Sequence, residues 1–379
     1  MENIRVALWG NELYGSFLKN AYDILRPEGL EIVCFGADNF EKNSKHEGLP
    51  VYDEAEIGEM YNSGEIQAVI LTVHHSKLHP VACRLMLRGI FNLYYIPNYY
   101  YELSVDEFSF DLFEKIDTPK PRLDYLEFHI ADHCNLNCKG CAHLSNITEP
   151  SFADFDQFVK DMKRLRELFW GIDRIRLMGG EPLLNKDLAD YIKVSREIFP
   201  DADIYVVSNG LLIDKSQESL FKTMRENHCG FNISQYPPTT KKLNHIISLC
   251  NLYKVKCLVS SPIGVFRTCT DPDGRQKPEE SYAKCDVRHC TFLHKGTLSN
   301  CIMPYILPKY SEVYGKEMKP GTDDIIDIHN PNIDGLQILE KLYVPIESCK
   351  YCNPANTFVY EWDTAPKTKA RPEDWTYKK

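Results

Sequence analysis

From residue 123 to residue 260 the chain alternates short apolar strands with amphipathic helices, and this rhythm limits its fold more than any other feature. Leu123–Ile130 opens the run as a strand whose Leu126, Phe128 and Ile130 share one face. A helix follows with Phe155, Phe158, Met162, Leu165 and Phe169 at helical spacing, and Ser151 is placed to cap it. Strands at Arg174–Met178, Asp203–Val207, Gly230–Ser234 and Val255–Ser260 alternate with helices at Leu188–Phe199, Gln217–Asn227 and Lys241–Tyr253. Room is left for a sixth strand before residue 285. The pattern predicts an α/β protein built on a partial (β/α)6 barrel, with its active site at the carboxyl ends of the strands.

A second α/β pattern precedes it. Strand Ile4–Trp9, a helix with Phe17, Leu18, Ala21 and Leu25, strand Glu31–Phe35, strand Ala68–Val73 and helix His79–Arg88 predict a parallel sheet over residues 1–117. The Tyr-rich stretch from Tyr94 to Tyr101 and the linker Thr118-Pro119-Lys120-Pro121 close this part, and the barrel region takes residues 122–284. Beyond about residue 261 the periodicity fails. Residues 285–360 then read as a small domain held by a metal rather than a core, and residues 361–379 as a loose polar tail.

A net charge of −10 argues against nucleic-acid and anionic-membrane partners. No signal peptide and no membrane-length apolar run is present, so the expected location is cytoplasmic. Fourteen cysteines in a reducing compartment point to metal or redox chemistry. Cys34, Cys83, Cys250 and Cys257 sit singly in apolar segments and read as core. Eight others fall at short spacings in polar, turn-rich stretches.

Cys134-x3-Cys138-x2-Cys141 sets three thiols on one loop after a strand. Three cannot close a cubane cluster, so one iron would stay open for a ligand. The alternative is a zinc knuckle completed by His133 or His143. After the next strand stands Gly179-Gly180-Glu181-Pro182, whose glycines permit close backbone approach and whose Glu can receive an ammonium group. Together the two motifs resemble the radical S-adenosylmethionine superfamily, across about residues 122–290. The resemblance implies a 4Fe–4S cluster on Cys134, Cys138 and Cys141. It also implies S-adenosylmethionine bound through the open iron and through Gly179, Gly180, Glu181 and Pro182, and a 5′-deoxyadenosyl radical as the reactive species. Ser208-Asn209-Gly210 resembles the ribose-binding position, and Ser234 a cofactor-contacting serine. The family usually has an aromatic residue before the third cysteine, where this chain has Gly140.

Phe292–Leu298 reads as a hairpin turning at Lys295-Gly296, which sets Cys290 across from Cys301, and Cys349-x2-Cys352 supplies a further pair. Four thiols suffice for structural zinc or a second 4Fe–4S cluster. Gly296-x4-Cys301 resembles the auxiliary-cluster domain called SPASM, in its shortened twitch form, which implies the cluster. Hairpin register favours Cys290 as the fourth ligand, and the usual spacing before the glycine favours Cys285. Gly10-x4-Gly15 with Asp38 is a degenerate nucleotide fingerprint that resembles Rossmann-like domains of sugar-biosynthesis enzymes, with a docking role as the alternative. His74, His75 and His79 lie near the last strand there. The resulting expectation is oxidation or epimerisation of a sugar- or cyclitol-type substrate, with flavodoxin or ferredoxin as electron donor. The alternative is a peptide-modifying maturase. Cys229 and Cys269 are conceivable hydrogen donors in an epimerase.

Overall fold

A computed structural model describes residues 3–11, 13–25, 27–73, 75–96, 112–116 and 120–376. The chain divides into two compact units, Met1–Arg122 and Leu123–Lys379. Most of the Tyr-rich stretch, His74 and linker residues 117–119 lie outside the described residues, as do the side chains of His75 and Ser76.

Among the described residues of the first unit, seven strands stand in the order 45–46, 49–52, 30–36, 4–9, 68–71, 93–95, 114–115. Ile4–Trp9 pairs in parallel with Leu30–Gly36 on one side and Ala68–Leu71 on the other. Val6, Leu8, Ile32, Phe35 and Ile70 pack with Leu18 of the first helix as a buried core. The fingerprint glycines serve the chain's own packing. Gly10 has φ +123, and a Cβ on it would meet the Thr72 carbonyl at 2.6 Å. A Cβ on Gly15 would meet the Gly10 carbonyl at 2.0 Å. Asp38 is not free for a ribose either: Arg84 reaches its carboxylate at 2.7 Å. His79, its pKa lowered by burial, lies 3.6 Å from the Cys83 sulfur, so Cys83 has a polar partner rather than a purely apolar setting.

The second unit is built on an eight-stranded sheet in the order 257–259, 230–233, 203–208, 174–179, 126–131, 292–294, 297–299, 326–327. Its first five strands run parallel, as the alternating pattern requires. The place left for a sixth βα strand is used differently. Val265–Thr268 leaves the sheet and pairs antiparallel with Phe358–Glu361, while Phe292 and Leu293 of the hairpin pair with Glu127 and Phe128 of the first strand. Phe128, Ile130, Ile175, Leu177, Ile204 and Val206 face the helices and form the main core. The first helix is capped by Asp154, whose carboxylate accepts from the Gln157 amide at 3.0 Å. Ser151 instead donates to Asp132 at 3.1 Å. Phe158 of that helix is wholly buried 4.6 Å from the Phe128 ring, and truncating it to Ala should cost about 3–5 kcal/mol.

The hairpin turns at Lys295 and Gly296, both at positive φ (45° and 80°), as a tight two-residue loop requires. The stretch 285–360 is part of this same unit and does have an apolar core. Leu144, Ile147, Ile306, Leu307, Tyr310, Tyr351 and Trp375 pack together, so the core draws on the cysteine loop and on the chain's last residues alike. The polar composition after Glu361 does not produce a loose tail: Trp375 is 3% exposed. Among the described residues no helix is long and apolar enough to cross a membrane.

Candidate metal and cofactor site

The first strand delivers its end into Asp132-His133-Cys134, and the second strand ends beside it at Gly179-Gly180. The Gly180 amide donates to the Ala131 carbonyl at 2.7 Å, and the Glu181 amide to the His133 carbonyl at 3.0 Å. A Cβ on Gly180 would lie 2.0 Å from that His133 carbonyl, and one on Gly179 2.2 Å from the Ala131 carbonyl. The two glycines therefore let the motifs meet backbone to backbone, a nearer reason for their presence than approach to a ligand.

This contact carries Glu181 inward, where no part of it reaches solvent. Its carboxylate accepts from the Ser208 hydroxyl at 2.8 Å, the Asn209 amide at 2.9 Å and the Leu183 amide at 3.1 Å. A carboxylate has about four acceptor sites. Three are filled, and one is left for an incoming donor. Burial pushes the Glu181 pKa up to about 7 against the pull of those three bonds. Asn209 continues the network to the cysteines, with its side-chain amide 2.8 Å from Asn135 Oδ1 and 3.6 Å from the Cys134 sulfur. The Ser234 amide donates to the Ser208 carbonyl at 2.9 Å. The structure thus brings Cys134, Glu181, Ser208 and Asn209 into one bonded group, with Ser234 joined to it through the backbone.

Burial pushes the Cys134 thiol up to about 11 and the Cys138 thiol to about 12, and the neighbouring cysteines add to both. Such thiols give up their protons when a metal takes them, so loading this loop should release acid. His133 and His143, the candidate fourth ligands of a zinc knuckle, are engaged elsewhere. His133 Nδ1 lies 3.2 Å from the Ser151 carbonyl, and His143 Nδ1 lies 2.9 Å from His129 Nε2. Among the described residues no group of three or more His, Cys, Asp or Glu converges on a single ion. Three thiols on one loop, each able to take a different iron, suit a cluster.

The Radical SAM superfamily matches residues 128–246. Those residues form a radical SAM domain. With it come a 4Fe–4S cluster and S-adenosylmethionine, and the residues just described fit both. GTP 3′,8-cyclase of Syntrophomonas wolfei is 30% identical over 144 residues, covering 37% of this chain and 43% of that protein. The same enzyme of Petrotoga mobilis is 34% identical over 103 residues, 26% of this chain and 31% of that one. The chain thus spans less than half the length of these curated relatives. Among solved structures, BtrN in complex with AdoMet and 2-DOIA is 18% identical with a TM-score of 0.40, covering 66% of this chain and 97% of that chain. The enzyme anSMEcpe with bound AdoMet is 21% identical with a TM-score of 0.31, covering 37% and 43%.

A second concentration of sulfur lies beyond the radical SAM domain. Cys269, Cys285, Cys301, Cys349 and Cys352 line one cavity of about 190 Å³. Burial raises the Cys301 thiol, and Cys349 and Cys285 raise it further. Cys269 and Cys352 lie close enough to interact, which raises Cys352 and lowers Cys269. Cys290 does not line this cavity; it lies beside Glu127, whose carboxyl burial pushes up to about 7. The hairpin's paired residues end at Phe292 and Ser299, short of both Cys290 and Cys301. Cys269 was visible only as a lone cysteine, since its partners lie 80 residues on. Cys229 is wholly buried among core residues.

The sequence reading also missed three aromatic residues at the cysteine loop. Trp362 Nε1 lies 3.2 Å from the Cys138 sulfur, Trp375 Nε1 donates to the Cys141 carbonyl at 2.8 Å, and the Tyr360 hydroxyl donates to the Lys139 carbonyl at 2.8 Å. The alternation Phe358, Tyr360, Trp362 was the available signal for a strand there.

Proposed function

We propose that this radical SAM protein takes a hydrogen atom from a small hydroxylated substrate, of sugar or cyclitol type, and oxidises it. When bound, the cluster and S-adenosylmethionine supply the 5′-deoxyadenosyl radical that removes the hydrogen. Cys134, Cys138 and Cys141 would hold the cluster. Glu181 would take the cofactor's ammonium group in its unfilled acceptor site, oriented by Ser208 and the Asn209 amide. Pro182, which starts the turn after Glu181, fixes the angle at which that carboxylate enters.

The observation that carries the oxidation reading is the cavity with five cysteines. A substrate radical becomes a carbonyl by losing one electron and one proton, and a second 4Fe–4S cluster would supply the electron acceptor. Cys285, Cys301, Cys349 and Cys352 would hold it, with Cys269 beside Cys352 in the same cavity. For the proton and the substrate hydroxyls the sheet offers its face opposite the helices. Asp132 accepts from Lys309 at 3.0 Å, His129 lies 3.0 Å from Asp132, and His143 continues the chain. Burial holds the His294 imidazole down to about 4, so it stays neutral and offers a ring nitrogen for a hydrogen bond to a substrate hydroxyl rather than a site for the proton. An external flavodoxin or ferredoxin would deliver the initiating electron.

The test is anaerobic reconstitution followed by product analysis with candidate polyols and aminocyclitols. Wild-type protein should take up about eight irons, and the triple Cys134→Ala, Cys138→Ala, Cys141→Ala variant about four. A carbonyl product formed with 5′-deoxyadenosine supports the reading. Saturation at about four irons with retained zinc would refute the second cluster. An epimerised polyol or a modified peptide as the product would refute the oxidation.

A further inference from the structure

We infer that the chain's C-terminal segment, residues 358–376, is a strap over the cysteine loop, and that Trp362 is a positioning residue whose indole N–H, bonded to the Cys138 sulfur, raises the reduction potential of the cluster on that loop. The inference rests on Cys138 being a cluster ligand.

The strap is built by the backbone. Phe358–Glu361 pairs antiparallel with Val265–Thr268, which directs the following residues across the loop. There the Lys139 amide donates to the Asp363 carbonyl at 2.9 Å and the Ala365 amide to the Asn137 carbonyl at 2.8 Å, so Cys138 and Thr364 face each other in a β-bridge. Asn146 holds the Ala365 carbonyl at 2.7 Å, and the bonds of Tyr360 and Trp375 fix the strap on both sides. This arrangement also accounts for Gly140. A Cβ there would lie 2.1 Å from the Tyr360 hydroxyl and 2.4 Å from the Asp374 carbonyl. Where superfamily members usually carry an aromatic side chain on the loop, this chain brings its aromatic groups in from the strap.

Cys138 is 7% exposed, and Trp362 donates to its sulfur at 3.2 Å. A donor on a thiolate ligand stabilises negative charge on that sulfur. The reduced cluster carries one electron more than the oxidised one, so the same N–H stabilises the reduced state more and moves the potential upward. The strap ring is held besides by Tyr236, 6.0 Å away, which keeps the indole nitrogen from swinging off the sulfur.

The decisive measurement is the potential, which a purely structural residue would leave in place. In reconstituted full-length protein, the electron paramagnetic resonance signal that changes on adding S-adenosylmethionine identifies the cluster on this loop. Trp362→Phe keeps a ring and removes the N–H. At a fixed applied potential its ratio of reduced to oxidised cluster should fall about tenfold, a shift of 59 mV to the negative for a one-electron couple. Tyr360→Phe removes a strap bond that never reaches sulfur, and should lower the melting temperature while leaving the potential unchanged. An unchanged potential in Trp362→Phe, or an equal shift in Tyr360→Phe, would overturn the inference. Should Trp362→Phe fail to retain iron, Trp375→Phe protein grown with 15N-indole tryptophan tests the bond itself, with the other indole at the loop removed. The reduced cluster should show a 15N hyperfine coupling, and its absence would overturn the inference. Wild-type protein with no cluster on the loop, by contrast, would refute the ligand role of Cys138 itself.

Discussion

Glu181→Gln separates the two things this carboxylate does, and the structure sets the size of each. Oε1 accepts from Ser208 and Leu183, and Oε2 from the Asn209 amide. A glutamine can place its oxygen at only one of these positions. With the oxygen kept for Ser208 and Leu183, its NH2 points at the Asn209 N–H, donor against donor, in a site closed to water. A buried donor left unpaired costs about 1–3 kcal/mol. For a unit of this size that corresponds to a fall of roughly 2–12 °C in melting temperature. The charge adds a pH signature. With its pKa raised from 4.5 to about 7, the folded protein keeps the Glu181 proton where the unfolded chain has lost it. The folded state therefore binds more protons between those values, and this group's contribution to stability falls as pH rises through that window, by roughly 3 kcal/mol in all. Glutamine has no such slope. In cofactor-free protein the disadvantage of the variant should thus be largest near pH 4.5 and shrink towards pH 7. Scanning calorimetry at several pH values measures it directly. S-adenosylmethionine affinity should also drop about tenfold to a hundredfold through loss of a charge-assisted bond, with iron content unchanged. A variant whose melting temperature tracks wild type at every pH would refute the buried network. Unaltered cofactor affinity would refute the ammonium role.

Cys285→Ser should lose iron from the second site while Cys290→Ser retains it, read by iron analysis on the two variants, since only Cys285 lines the cavity. Cys349→Ala with Cys352→Ala should let cofactor cleavage continue while carbonyl product disappears, with melting curves recorded in parallel to exclude collapse of the surrounding core. Gly140→Ala combines a strained φ of +62 with a Cβ inside the Tyr360 hydroxyl, and should lift the strap. Limited proteolysis should then cut after residue 357 faster than in wild type, at a stability cost of about 1–3 kcal/mol.

The five parallel strands were legible because period-two and period-3.6 patterns change over sharply between residues 123 and 260, and because the strand ends are where Cys134, Gly179 and Ser208 fall. The destination of the sixth segment was not. Val265-Phe-Arg-Thr268 has the composition of a strand for any sheet, and its partner Phe358–Glu361 lies far along the chain. Local pattern fixes the existence of a strand, whereas its neighbour is set by which open edge the intervening chain can reach. Capping failed for a smaller reason of the same kind. Ser151 and Asp154 both precede the helix with suitable side chains, and only the position of Asp132 decides that Ser151 is drawn away.

The cysteine sites show where counting stops being enough. Three thiols on one tight loop are neighbours whatever the rest of the chain does, so Cys134, Cys138 and Cys141 could be grouped by spacing alone. The second group is assembled from four separate segments, and spacing offered two candidates for one place. Cys290 stands outside the cavity lining, beside Glu127 on the adjoining strand. Cys269 entered from the strand that left the main sheet, so a fifth thiol could be placed only once that strand was. The same displaced strand supports the strap. A single departure from the repeating pattern, Val265–Thr268 turning to pair with Phe358–Glu361, therefore brings Cys269 to the cavity, Tyr360 against Gly140, and Trp362 onto the Cys138 sulfur. The polar stretch after Glu361 looked loose because its side chains have no apolar period of their own. Its order comes from backbone bonds to the cysteine loop, and no composition records these.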